Sequence, residues 1–196
     1  MSEANGAPAS GSANGLANGS ANGSANGVGA GGSVARVRAA LLAAGHADTI
    51  SEFPAGTRTA ADAAAAVGCT VAQIAKSIVF RADGRAAVVI TSGANRVDAA
   101  KASAALGVKL VRADADWVRA TTGFAIGGVA PIGHVTPPLV LLDEDLLSLD
   151  PIWAAAGTPS YVFRTTAEAL RRMTGAPVAD VKVAEVKLAE VKLGAG

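Results

Sequence analysis

Hydrophobic and polar positions repeat with two different periods along the chain, and the first period is helical. Apolar residues recur every three or four positions over 34–44 and 59–68, and a glycine follows or ends each run, so both stretches predict helices. Thr70 and Gln73 form the capping-box pattern, which predicts a third, short helix through Ala75.

The period changes directly after this short helix. Residues 77–81 and 86–91 are β-like apolar runs, and Asp83-Gly84 between them is a strong signal for a two-residue hairpin turn. Lys76 therefore lies where the short helix meets the first strand, a place from which its ammonium can project into a cleft. A surface lysine whose stem covers apolar residues while its charge stays in water is the other interpretation of this spacing.

The rest of the chain alternates short strands with helices. Helices are predicted over 97–106, after Asp114, and from a Thr165/Glu168 capping box to Gly175; strands are predicted over 108–111, 139–142, 152–155 and 160–163. The acidic run 143–145 predicts a solvated turn. We therefore expect an α/β fold, a single domain with a mixed, partly barrel-like sheet of six or seven strands flanked by helices.

Composition sets the limits of this domain. Residues 1–33 are almost entirely Ala, Gly, Ser and Asn, and residues 177–196 repeat a ragged Val-Lys-apolar-Ala-Glu unit, so we expect flexible tails around a domain over 34–176. No stretch reaches the ~18 apolar residues that span a bilayer. The lone Cys69 and a start unlike a secretory signal are typical of a cytoplasmic protein.

Charge and residue counts exclude several classes of function. With 17 Lys and Arg against 16 Asp and Glu the net charge is +1, too small for a protein held on nucleic acid mainly by long-range attraction. One cysteine and two histidines exclude an internal disulfide and a Cys/His zinc cluster, and we expect neither metal nor cofactor. The chain also lacks a P-loop and a Gly-x-Ser-x-Gly elbow.

The most distinctive stretch is 123–134, which holds four glycines and a proline. Such a loop can direct several backbone N–H groups at a carbonyl or anionic oxygen, although a surface turn without a ligand has the same composition. His134 at its end is a candidate hydrogen-bond donor to a ligand or a structural residue. Cys69 is a candidate nucleophile, with His46 or His134 as its base, or a small buried thiol.

Three motifs together resemble a known family. They are Gln73-Ile-Ala-Lys76-Ser-Ile-Val-Phe80, Gly127-Gly-Val-Ala-Pro-Ile-Gly133 and Trp153-Ala-Ala-Ala-Gly-Thr-Pro159. Their order and spacing within residues 34–174 are similar to those of the YbaK-type family of aminoacyl-tRNA deacylases, which are related to the editing domain inserted in prolyl-tRNA synthetase. Residues 54–62 resemble the freestanding branch of that family.

The resemblance implies a trans-editing hydrolase that cleaves the ester of mischarged tRNA-Pro, or of a related tRNA that carries a small wrong amino acid. Lys76 would be the catalytic residue, as a positive charge that orients the substrate while fixed N–H dipoles stabilise the oxyanion. The attacking group would be a water, a ribose hydroxyl or the substrate's own side chain. The substrate-binding residues would be Gly127, Gly128, Val129, Ala130, Pro131, Gly133, His134, Ser92, Asn95, Gly157, Thr158 and Pro159.

The resemblance also implies partners, and two alternative functions stay open beside it. The partner would be the acceptor end of the mischarged tRNA, with a synthetase or an elongation factor as a further candidate. A second hypothesis is a non-catalytic module that binds aminoacyl-ended RNA or small aminoacyl ligands through Lys76. A third is a small-molecule ester hydrolase that uses His134 and Cys69.

Overall fold

Helices and strands alternate along residues 30–53 and 59–184, the part of the chain that the computed structural model describes. The helices are α1 (Ala30–Ala43), α2 (Ala60–Val67), α3 (Ala99–Leu106), α4 (Ala115–Thr122) and α5 (Ala167–Thr174). The strands are β1 (Ile50–Glu52), β2 (Ile74–Ala82), β3 (Arg85–Ser92), β4 (Val111–Arg112), β5 (Leu139–Asp143), β6 (Ile152–Ala155), β7 (Tyr161–Thr165) and β8 (Val178–Ala179). Short 3-10 helices span Val71–Gln73 and Glu144–Ser148.

All eight strands belong to one mixed sheet. Its order is β1-β7-β6-β2-β3-β5-β8, and β4 pairs with β2 beside this path. The pairs β2/β6, β3/β5 and β5/β8 are parallel, whereas the others are antiparallel. The predicted single mixed α/β domain is therefore confirmed, and the strand count exceeds the expected six or seven because the two-residue β8 lies past the expected end of the domain.

The hairpin between β2 and β3 forms as predicted, but the short helix before it does not. Asp83 and Gly84 both have positive φ, as a type I′ turn requires. The Thr70–Gln73 capping box also forms, yet it opens only the single 3-10 turn Val71–Gln73. Residues from Ile74 onward join β2, because pairing with both β3 and β6 outweighs the local helix signal. Lys76 is thus a strand residue.

Polar caps and glycines set the ends of the other helices. Thr59 with Asp62 caps α2, and Asp98 and Asp114 cap α3 and α4 through their carboxylates. The predicted cap of α5 is wrong by one residue, since Thr166 accepts the bond from the Ala169 N–H while its predecessor stays in β7. Four of the helices end at a left-handed glycine: Gly68, Gly107, Gly123 and Gly175.

The core lies on both faces of the sheet. On one face, α1 and α5 contribute Val37, Leu41 and Leu170 to a cluster with Phe124 and Phe163, all almost fully buried. On the other face, α3 packs through Ala102 against β3 and β5. A third cluster seats α2 on β2 and β7. Within the described residues, no helix has both the length and the apolar character needed to cross a bilayer.

The chain end is more ordered than its composition predicts. The expected tails were residues 1–33 and 177–196. In the structure, however, α1 already begins at Ala30, and β8 pairs with β5. Val181 beyond β8 is fully buried, and its carbonyl accepts a 2.7 Å hydrogen bond from the Asp98 N–H. The domain therefore extends past the expected boundary, because pairing with the distant strand β5 supplies the stabilisation that the local repeat lacks. Residues 1–29 and 185–196 lie outside the described part.

Shortening the chain tests this boundary. A chain that ends at residue 176 should be less stable than one that ends at residue 184 by about 2 kcal/mol or more, because burial of one valine alone contributes about 1.5–3 kcal/mol. Denaturant unfolding of the two purified chains measures the difference. Equal unfolding midpoints would show that β8 and Val181 contribute nothing to the domain.

Candidate functional site

Strand β2 has a gap in its pairing along one edge. On the other edge, β3 pairs with it from Ala75 to the hairpin turn. On the gapped edge, β6 pairs only with the first two residues of β2, and β4 pairs only with Phe80 and Arg81. Among the described strands, none pairs with residues 76–79 on that edge.

The hairpin turn determines which backbone groups face this gap. In a two-residue turn the flanking residues exchange hydrogen bonds, and hydrogen-bonded pairs then recur at every second position of an antiparallel ladder. The N–H and C=O groups of Lys76 and Ile78 therefore point toward β3, whereas those of Ser77 and Val79 point into the gap. Side chains alternate between the two faces of the sheet, so Lys76 and Ser77 leave the strand on opposite faces.

Two cavities meet at this gap. Their volumes are about 690 Å³ and about 240 Å³. The residues lining both are Lys76, Ser77, Ile78, Ile126, Gly127 and Val129. The larger cavity continues past the start of α3 and has Arg96 and Arg112 in its wall. The smaller one is mainly apolar and lies between α2, β6 and β7, with Ala60, Ala63 and Val162 in its wall.

The ammonium of Lys76 is held where the cavities join. Its Nζ donates hydrogen bonds to the carbonyl oxygens of Gly93 at 3.0 Å and Asn95 at 2.8 Å. An ammonium has three protons, so one proton is left without an acceptor among the described residues. Burial lowers the pKa of Lys76, and the Asp143 carboxylate partly opposes this shift. The two carbonyls thus fix the position of a cation with one donor to spare.

The turn that carries these carbonyls is organised by a single buried carboxylate. Asp143 ends β5, and its Oδ2 accepts hydrogen bonds from the Thr91 hydroxyl at 2.7 Å, the Ser92 N–H at 3.1 Å and the Asn95 side-chain amide at 2.8 Å. The residue is fully buried, so the predicted solvated acidic turn is wrong at this position. The reason is that β5 packs beside β3, whose end supplies the donors.

The same turn also packs tightly against the backbone of residues 71–72. Ser92 donates its hydroxyl proton to the Ala72 carbonyl at 2.9 Å and accepts the Ala94 N–H at 3.3 Å. A Cβ on Gly93 would lie only 2.1 Å from the Val71 carbonyl oxygen, so only glycine fits there. The Ser92 hydroxyl therefore hydrogen-bonds to backbone groups that hold the turn.

The glycine-rich loop forms the opposite wall of the cavities. Gly127, with φ of 90°, and Val129 face both cavities, and their N–H groups have no acceptor among the described residues. The Gly128 N–H is used within the loop, where it donates to the Ala125 carbonyl at 3.0 Å. A Cβ on Gly128 would lie 2.5 Å from the Thr158 Cα, so this glycine permits the loop to rest directly on residues 157–159.

Comparison with known proteins shows the family of the chain that carries this lysine and this glycine-rich loop. Residues 54–173, more than half of the chain, match the family described as "Aminoacyl-tRNA editing domain". The chain belongs to this family.

Relatives of this editing domain share the fold over most of their length. A solved structure described as "a putative trans-editing enzyme for prolyl tRNA synthetase" is 48% identical, with a TM-score of 0.74, over 78% of this chain and 98% of its own. Another, "hypothetical protein APE2540", is 27% identical with a TM-score of 0.70, over 76% and 99%. "Uncharacterized protein YwhH" of Bacillus subtilis is 28% identical over 66% of this chain and 83% of its own.

The predicted site residues of this editing domain divide into two groups. Those that line the two cavities are Lys76, Asn95, Gly127, Val129 and Pro159. Those that line neither of the two cavities are Ser92, Gly128, Ala130, Pro131, Gly133, His134, Gly157 and Thr158. The second group packs the loops against each other and against α1, as when Gly157 meets the Ser33 backbone.

His134 lies apart from the two cavities that meet beside Lys76. Its ring lines a separate cavity of about 300 Å³ between α1 and α5 and packs edge-on against Phe124, with centroids 5.2 Å apart. Both ring nitrogens are buried without a hydrogen-bond partner among the described residues. Burial lowers the pKa of His134 to about 4, although the nearby Ala130 and Pro131 carbonyls oppose the shift. The expected contact between His134 and a ligand is thus not supported by this placement.

Cys69 and His134 line no common cavity among four found in the described part of the chain, which counts against the third hypothesis. The Cys69 thiol donates to the Thr70 carbonyl at 3.3 Å and packs at the edge of the α2 cluster. Burial raises the pKa of Cys69, which disfavours the nucleophilic thiolate. In the described stretches, no three His, Cys, Asp or Glu side chains are grouped so as to hold a metal ion.

Three residues that sequence reasoning did not single out belong to the site. The Ser77 hydroxyl is buried at the cavity junction without a partner among the described residues. Ile126 is 60% exposed at the mouth of both cavities. Asp143 positions the Lys76 turn. Two signals in the sequence could have indicated these site residues. Ser77 is a polar residue inside an apolar strand, and Asp143 is an acid directly after one.

Replacing Asp143 tests its role as organiser. Asp143→Asn substitutes an amide for one carboxylate oxygen, so at least one of the N–H and O–H groups that now donate to Asp143 will face another donor. We expect a loss of roughly 1–3 kcal/mol in the free energy of unfolding. Asp48→Asn is the matched control, because its half-exposed ion pair with Arg38 lies away from this turn and its loss should cost much less. Equal losses in denaturant unfolding would contradict the assignment.

The pKa of His134 predicts a pH dependence of stability. Because the folded state holds its pKa near 4, below the ordinary value of 6.5, the unfolded state binds the proton more readily. Stability should therefore fall as the pH drops from 7 to 5, by about 2 kcal/mol from this residue. In His134→Gln, which cannot take up the proton, this part of the pH dependence should vanish. An unchanged slope of unfolding free energy against pH would refute the prediction.

Proposed function

We propose that this chain hydrolyses the ester bond that joins a small wrong amino acid to the 3′ end of a tRNA. The observation that carries the proposal is the Lys76 ammonium, fixed by the Gly93 and Asn95 carbonyls at the junction of two cavities. Membership of the editing-domain family supports the same reaction class. The relative described for prolyl tRNA synthetase favours tRNA-Pro as the substrate.

The two cavities suit the two parts of such an ester. The smaller, apolar cavity of about 240 Å³ is walled by Ala60, Ala63 and Val162 and suits a short, uncharged side chain. The larger one carries Arg96 and Arg112, whose charges suit the phosphates of the terminal nucleotides. The ester group between them would then lie beside Lys76 and the glycine-rich loop.

The chemistry requires stabilisation of an oxyanion rather than a strong protein nucleophile. When water, a ribose hydroxyl or the substrate side chain attacks the ester carbon, negative charge develops on its carbonyl oxygen. The spare proton of Lys76 and the N–H groups of Gly127 and Val129 are fixed dipoles that can meet this charge. The ester C–O bond then breaks, and the proton that the attacking group gives up passes to the leaving ribose oxygen. Attack by water releases the free amino acid and attack by the side chain releases a cyclic product, whereas a ribose hydroxyl only takes over the acyl group, which water must then cleave.

A second, hydrolytic site is useful because one methylene changes binding by only about 1–3 kcal/mol. A synthetase therefore mistakes similar small amino acids for one another, and a separate pocket can remove the errors. The near-neutral net charge of +1 favours brief contact with the acceptor end. A synthetase or elongation factor remains a candidate partner in that step.

The experiment is deacylation of tRNA-Pro charged with alanine, serine, threonine, cysteine, 2-aminobutyrate or proline. We expect the wild-type chain to release at least one of the wrong amino acids and to spare proline. Lys76→Ala should reduce the rate constant by about 10²–10³-fold, as expected for loss of an oxyanion donor. Lys109→Ala, an exposed lysine outside both cavities, is the matched control and should retain the wild-type rate.

Other outcomes of this assay are equally informative. Binding of the charged tRNA without release of any amino acid would replace the proposal with the non-catalytic binding module. Equal rates for Lys76→Ala and wild type would exclude Lys76 as the catalytic residue. A covalent adduct between Lys76 and the amino acid would exclude its role as an orienting charge.

A further inference from the structure

One arginine of α1 holds both ends of the glycine-rich loop. Arg36 Nη2 donates to the Gly123 carbonyl at 2.8 Å, and Arg36 Nε donates to the Gly133 carbonyl at 3.2 Å. The guanidinium also stacks over the Phe124 ring, 5.0 Å from its centroid. The planar fork of arginine can bond two acceptors at once, which the single nitrogen of a lysine does less well.

These bonds join the two ends of the loop, at Gly123 and Gly133, which we call its neck. One backbone hydrogen bond, from the Val135 N–H to the Thr122 carbonyl at 3.2 Å, already closes its base. Arg36 bridges Gly123 and Gly133, which lie one and two residues further into the loop on its two sides. Gly123 and Gly133 both have φ of 77°, so each side of the neck is built from a left-handed glycine.

Side chains at the two neck glycines would displace this arrangement. A Cβ on Gly123 would lie 2.7 Å from Arg36 Nη2, and a Cβ on Gly133 would lie 3.2 Å from the Val37 Cα. The helix and the loop are therefore in direct contact at this point. Arg36 is half-buried and has no carboxylate partner among the described residues. Its charge is directed at the two loop carbonyls.

The part of the loop that faces the cavities lies between the two glycines that Arg36 contacts. Between Gly123 and Gly133 lie Gly127 and Val129, the residues that line both cavities opposite Lys76. Helix α1 precedes residues 54–173, which carry the family match. The segment that fixes the loop thus lies outside the matched part of the chain.

We propose that Arg36 is a positioning residue of this site, which holds the N–H groups of Gly127 and Val129 in place for the oxyanion. Arg36 does not line either cavity, so it acts only through the loop. The catalytic consequence rests on the proposed function, whereas the ordering of the loop does not. Loss of the clamp should affect the transition state more than substrate binding, because pre-oriented dipoles stabilise charge that develops during reaction.

The test compares Arg36→Ala and Arg36→Lys with Arg38→Ala in the full chain. Arg38 lies on the same helix but forms a half-exposed ion pair with Asp48, so it is the matched control. Hydrogen exchange of the amides in 123–133 is measured first, without substrate. Exchange should accelerate by about tenfold or more in Arg36→Ala, less in Arg36→Lys, and not in Arg38→Ala. Added guanidinium ion at sub-denaturing concentration should restore protection to Arg36→Ala.

The activity assay gives the second readout. On whichever charged tRNA the wild type deacylates, Arg36→Ala should lower kcat by about tenfold or more and change KM little. Unchanged exchange of 123–133 in Arg36→Ala, or acceleration spread evenly over the whole domain, would overturn the proposal. So would a rise in KM at constant kcat. If the wild type deacylates no tRNA, the proposed function fails while the exchange data still decide whether Arg36 holds the loop.

Discussion

The site depends on the hydrogen bonds that the buried carboxylate of Asp143 accepts. Asp143 ends β5 inside the protein and collects donors from the end of β3 and from the turn that follows, including Thr91 and Asn95. A charge in this position is tolerated only because several hydrogen bonds replace its water. The bonds in turn fix the backbone of the turn, whose carbonyls hold Lys76. The position of the Lys76 cation at the cavity junction therefore depends on an anion that lines neither cavity.

The sheet and the loop contribute different kinds of precision to the site. Strand β2 is paired with β3 along its length, so its open edge between β6 and β4 is rigid and its exposed backbone groups have fixed directions. The glycine-rich loop is held instead by contacts of its two ends with α1 and of its middle with residues 157–159. A rigid edge and a clamped loop together define the space in which an ester would lie.

Short-range chemistry was readable from the sequence, whereas long-range pairing was not. The Asp83-Gly84 turn and the caps at Thr59 and Asp114 depend on neighbouring residues and form as local patterns indicate. The helix signal at Thr70–Gln73 was overridden because distant β6 pairs with β2. The same limit applies to the site: Lys76 stood out as a lysine before an apolar run, but the burial of Asp143 and the contact of Arg36 with the loop arise from segments far apart in sequence.

The alternation of β2 also limits how this domain can change during evolution. Lys76 and Ser77 leave the strand on opposite faces, so inserting or deleting one residue before them would exchange the faces on which they lie. If Lys76 must stay on its present face of the sheet, we expect one-residue insertions and deletions in β2 to be selected against. New substrate preferences must come instead from substitutions in the walls, such as Ala60 and Ala63 on α2, or from loops of different length.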